Sequence, residues 1–126
     1  MSQFYNEPCR AFTAGAAIAK HLRVKLSSGK LAVAGLADKE IGTLEEASFA
    51  DGDVRTVRLR TAEGTIKMVA AEAMSAGAAV YTAASGKVAD TATATSYLVG
   101  TTLEAATADG DVIEVLRNSH GDTANS

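Results

Sequence analysis

Four aspartates offer the clearest chance of chemistry in this chain. Asp51, Asp53, Asp109 and Asp111 sit in two copies of ADGDV, at Ala50–Val54 and Ala108–Val112. Carboxylates so close together could hold a divalent cation or share acid and base roles. A calcium loop, however, needs oxygen ligands at alternating positions and a closing glutamate at the twelfth, and neither copy supplies them. Paired acid–base carboxylates need a cleft with opposed environments. Asp-Gly is, by contrast, a strong tight-turn signal, because Gly tolerates positive φ and Asp bonds its local backbone. Asp51, Gly52, Asp109 and Gly110 are therefore read as structural turn residues.

The other reactive side chains lead no further. His21 and His120 have no second His or Cys at metal-ligand spacing, and a catalytic histidine needs an orienting partner. Cys9 is the single cysteine, which excludes an internal disulfide and a cysteine-based zinc site and carries no catalytic-thiol signature. Ser-Gly-Lys occurs twice, at Ser28–Lys30 and Ser85–Lys87. The earlier glycine that a phosphate loop requires is missing in both copies, so these too read as turns. The expectation is a protein with no catalytic, metal or cofactor-binding residues: not an enzyme.

The elements around these turns repeat. Ile41–Val57 reads IGTLEEASFADGDVRTV and Val99–Val115 reads VGTTLEAATADGDVIEV, with ten of 17 positions identical at an offset of 58. SGK precedes each copy, and AGAA at Ala14–Ala17 pairs with AGAA at Ala76–Ala79. The conserved order of AGAA, SGK, Gly-Thr and ADGDV points to duplication of one unit. Alternation between the turns is strand-like. Leu22, Val24 and Leu26 fall on one face with His21, Arg23 and Lys25 on the other. Val57 and Leu59 face inward, and Ile113 and Val115 take the matching positions in the second copy. Thirteen threonines favour strands, and regularly scattered glycines suit many short ones. Alanine around Ala71–Ser75 predicts a turn or two of helix. The predicted fold is all-β with at most one short helix: a small barrel or sandwich of two duplicated units, about 14–60 and 76–117, in a single domain over 14–117.

Composition bounds the partners. Of 126 residues, 26 are Ala, and Leu, Ile, Val and Phe together number only another 26. So thin a core is expected to draw support from self-association. A net charge of −3 argues against nucleic acid. No apolar run approaches the length of a membrane span, and the first residues do not resemble a secretory signal. A reducing compartment is expected. Residues 1–13 read as an extended arm carrying Phe4, Tyr5, Pro8 and Phe12, and residues 118–126 as a polar tail. Exposed aromatics cost solubility unless they dock, and Arg55, Arg58 and Arg60 form a basic stripe that suits an acidic partner. Phe4, Tyr5, Phe12, Arg58 and Arg60 are the candidate contact residues.

The succession AGAAVYTAASGKV, a Gly-Thr strand and ADGDVIEVLR resembles the small bacteriophage head decoration proteins, also called capsid cement proteins, over roughly residues 14–117. The resemblance implies a compact β-rich protein, usually trimeric, on the outer surface of the mature head. It would clamp neighbouring major capsid protein subunits after assembly in the host cytoplasm. No catalytic residues come with it. The alternative is a ligand-binding β-module, for instance one reading carbohydrate, although only Phe49, Tyr81 and Tyr97 remain on the body as stacking platforms.

Overall fold

The computed structural model describes residues 9–61 and 64–117. Ten strands run in chain order: β1 (Cys9–Thr13), β2 (Arg23–Ser27), β3 (Lys30–Val33), β4 (Gly42–Leu44), β5 (Val54–Leu59), β6 (Thr65–Val69), β7 (Ala79–Thr82), β8 (Val88–Ala89), β9 (Leu98–Thr102) and β10 (Val112–Arg117). They form two antiparallel five-stranded sheets, ordered β1-β5-β4-β2-β3 and β6-β10-β9-β7-β8. Adding five to each strand number of the first sheet produces the second.

The turn motifs explain why these residues fold this way. In both SGK sequences the Ser and the Gly take positive φ, at 52° and 81° for Ser28-Gly29 and 61° and 74° for Ser85-Gly86. Two successive left-handed residues match the twist of a two-residue hairpin, so each motif joins a strand to its immediate neighbour. The Gly of each Gly-Thr motif has a different task. A Cβ on Gly42 would lie 2.1 Å from the Arg58 carbonyl oxygen, and one on Gly100 2.1 Å from that of Leu116. Only glycine allows the central strands to pair this closely.

Each sheet has its own core. Ala14, Ile18, Val24, Leu31, Leu44 and Val57 cluster in the first. The second is larger and includes Ile66, Met68, Met74, Val80, Val88, Ile113 and Val115. Val57, Ile113 and Val115 thus face inward as the alternation predicts, with Leu59 packed against the first cluster.

Several expectations are corrected. No closed barrel is found: the outer strands of each sheet meet only at one isolated parallel bridge, Ala14 with Leu31 and Ala70 with Val88. Those bridges also re-align the repeat. Ala14 corresponds to Ala70, so the AGAA at Ala76–Ala79 is not the partner of Ala14–Ala17, and the second sheet already begins at Thr65. Ala71–Ser75 forms no helix. Its backbone is engaged elsewhere, with Ala71 N donating to Val88 O and Met74 exchanging bonds with Ala106, and so short an alanine run has too few internal bonds to compete. Among the described residues the one helical segment is a 3₁₀ turn at Ala84–Gly86. Residues 9–13 of the expected arm are instead β1, paired along its length with β5. Finally, β2 does not alternate as read: Arg23 is fully buried and Leu26 is 46% exposed.

Candidate functional site

The aspartates of the two ADGDV turns are consumed by the turns themselves. Asp53 accepts from the backbone N–H groups of Phe49 and Ala50, and Asp111 from those of Thr107 and Ala108. The hydroxyl of Thr107 also donates to Asp111. The Phe49 and Ala50 amides hold the Asp53 carboxyl below its ordinary value, and the Thr107 amide and hydroxyl, then the Ala108 amide, do the same for Asp111. The first aspartate of each turn pairs with the lysine of its SGK motif, Lys30 with Asp51 at 2.9 Å and Lys87 with Asp109 at 2.7 Å. Each repeated motif thus latches onto the other within its own sheet. Among the described residues no group of His, Cys, Asp and Glu is arranged to hold a metal ion.

A buried cluster of charge joins the two halves. Arg23 Nη2 donates to Ala83 O at 2.7 Å and Nε to Lys87 O at 3.0 Å, reaching from the first sheet to the β7–β8 turn. Nη1 meets Glu40 Oε1 at 3.3 Å. The other oxygen of Glu40 faces Arg117 Nη2 at 3.9 Å. The three guanidinium nitrogens of Arg117 are buried without a hydrogen-bond partner among the described residues. Burial, set against the attraction of Glu40, pulls Arg117 down to about 10, and Arg60 and Arg58 add like-charge repulsion. Burial also lowers Arg23, opposed by Glu40. The cluster positions the two sheets; nothing in it is a nucleophile.

Beside it lies an open groove of about 650 Å³, lined by Lys20, His21, Glu45 and Arg58 on one side and by Lys67 and Glu114 among others on the other. His21 holds a left-handed backbone, φ 69°, with Nδ1 buried and unpartnered. Burial lowers its pKa, Lys20 and Lys67 reinforce the shift and Glu45 opposes it. The alternating charges suit a solvated seam.

A cation–aromatic ladder crosses β1 and β5. The Arg10 guanidinium lies 5.1 Å from the Phe12 ring centre. Phe12 stands opposite Arg55 in the β1–β5 register, and Arg55 lies 5.9 Å from the ring of Phe49. Phe49 is 76% exposed.

Of the residues singled out from sequence, Phe4 and Tyr5 lie outside the described residues, as does His120. Phe12 is half-buried against the first core. Arg58 lines the groove, and Arg60 N donates to Ile41 O. Strand alternation puts Arg58 and Arg60 on the face of β5 opposite Arg55, so Phe12 and these two arginines do not form one patch. The sequence reading missed Glu40, Arg23 and the pairing of Phe49 with Arg55. The last had a signal: at the repeat offset of 58, Arg55 stands where the second copy has core-facing Ile113.

Comparison with known proteins settles the family. A family model described as phage cement protein matches residues 10–117. The chain belongs to the phage cement protein family. The resemblance read from residues 14–117 therefore holds, and the protein has a structural role in the phage capsid. Among solved structures, this cement protein is similar to the N base of the head fiber gp8.5 of bacteriophage phi29. The TM-score is 0.73 at 14% identity, covering 87% of this chain and 92% of that one. At that identity the likeness concerns the fold. No curated protein matches the sequence.

Proposed function

We propose that this cement protein binds the outer surface of the mature head as a homotrimer and stabilises it by clamping adjacent major capsid protein subunits. The family match over residues 10–117 carries the reading. The geometry agrees with it, because the repeated carboxylates serve the turns and each half is a pinned sheet with its own core. Three weak contacts held in one trimer gain about 10²–10⁴ in avidity, and bridging several coat subunits opposes outward pressure without touching packaged DNA. The net charge of −3 suits the outside of a DNA-filled particle. Phe4 and Tyr5, just ahead of β1, add contacts to a coat or neighbouring subunit, and Arg58 and Arg60 add polar ones.

The test is incubation with undecorated expanded heads, followed by pelleting, with the mass in solution measured separately. Co-sedimentation of a trimer supports the proposal; a monomer, or protein left in the supernatant, overturns it. Removing residues 2–8 spares β1. It should weaken head binding while leaving the circular dichroism unchanged, and undiminished decoration would remove Phe4 and Tyr5 from the interface.

A further inference from the structure

The two sheets share strand order and register, so their residues can be compared position by position. Arg10, Phe12, Arg55 and Val57 in β1 and β5 correspond to Ile66, Met68, Ile113 and Val115 in β6 and β10, since Phe12 pairs with Arg55 and Met68 with Ile113. In the second sheet all four are apolar and at most 4% exposed. In the first, only Val57 is buried; Arg10 is exposed, and Phe12 and Arg55 are half-exposed. The inward face of one sheet is therefore sealed by its own side chains, and that of the other opens at the β1–β5 corner. The opening ends in the alternating row Arg10, Phe12, Arg55, Phe49.

We infer that this open corner is the docking site for the coat protein, and that it takes an apolar side chain flanked by carboxylates. The inference rests on the function proposed above and names the site that carries it. Aromatic and arginine side chains dominate the energetics of protein interfaces. Here they are held in place beforehand: Asp53 accepts from Phe49 N at 2.8 Å and sits 3.5 Å from Arg55 Nη2, while Arg55 Nε donates to Ala47 O at 2.9 Å. An ordered Phe–Arg pair loses little freedom on binding. The corresponding turn of the second sheet has Thr107 and Ile113 in these places, so only one end of the molecule has the feature. The charges select the partner. Arg10 lies over the Phe12 ring and Arg55 near that of Phe49, so the row sets positive charge around an apolar centre and suits an apolar side chain with carboxylates at its rim.

The decisive experiment measures binding of the full chain to undecorated expanded heads for Phe49→Ser, Arg55→Glu and, on the other sheet, Leu116→Ser. Phe49 is exposed enough for F49S to spare the fold, which melting and solution mass check. The expected result is head binding weakened by about 30-fold or more for F49S and R55E, with L116S at the wild-type level and oligomer mass unchanged in all three. Wild-type binding together with undiminished F49S and R55E binding overturns the corner assignment alone. A wild-type protein that fails to bind heads overturns the proposed function and the assignment with it. If F49S instead splits the oligomer, the corner joins copies of this chain and the coat assignment falls.

Discussion

Replacing Arg117 by Met should stabilise this protein. The guanidinium is about nine-tenths buried, its three nitrogens have no hydrogen-bond partner among the described residues, and the counter-charge found among them, Glu40, is 3.9 Å away and already bonded to Arg23. The drop from the ordinary arginine value to about 10 corresponds to about 3 kcal/mol against the charged form, net of Glu40. Methionine keeps the stem's apolar contacts and removes that penalty, as when buried ion clusters elsewhere are replaced by apolar residues. We expect about 1–3 kcal/mol of added stability in urea unfolding followed by circular dichroism. Glu40→Gln should act in the opposite sense. It leaves two buried guanidiniums without a carboxylate, at a cost of about 3–5 kcal/mol. In the R117M background the same change should cost less, because only Arg23 then lacks its counter-charge. A loss of more than about 1 kcal/mol in R117M would refute this account and show that the 3.9 Å pair is net favourable.

Gly42→Ala and Gly100→Ala should each cost about 3 kcal/mol or more, because the new Cβ meets a carbonyl oxygen at 2.1 Å. Gly52→Ala meets nothing within 4 Å and should cost about 1–2 kcal/mol of backbone strain at φ 99°; thermal melts of the three compare them directly. Stability should fall in two steps as pH drops. The neutral form of His21 is favoured in the fold, so its contribution is complete above 6.5 and lost as pH falls through the lower folded value. Asp38, held low first by Lys25 and then by the Gly35 amide, contributes fully above 3.8 and is lost beneath it. Urea midpoints from pH 8 to pH 2.5 and NMR titration of His21 check both. Lys87→Ala should cost no more than about 1 kcal/mol by the same urea measurement, because the Asp109 carboxylate it pairs with is 62% exposed.

What could be read from the chain was whatever local chemistry decides. The Asp-Gly and Ser-Gly turns are set by positive φ, and the inward Val57, Ile113 and Val115 by strand alternation. Arg23 escaped because alternation assigns a polar residue to solvent, whereas its bonds run to carbonyls as far away as Lys87. Ala71–Ser75 escaped because helix propensity is weaker than the pairing partners the fold supplies at Val88 and Ala106. The AGAA pairing misled for a related reason: matching letters lay six residues from the backbone bridge at Ala70 that defines the correspondence. Glu40, in the loop between β3 and β4, belongs to no motif; the meeting of Arg23 and Arg117 makes it matter.

The curl of the two sheets bears on how such a protein behaves when crowded on a shell. A bare strand edge recruits another strand and seeds filaments. Here Ala14 bridges Leu31 and Ala70 bridges Val88, which draws the two edges of each sheet together at one point, between five-residue β1 and β6 on one side and the four- and two-residue β3 and β8 on the other. Each bridge thus shortens the bare edge that a neighbouring copy could extend, most of all at the two-residue β8.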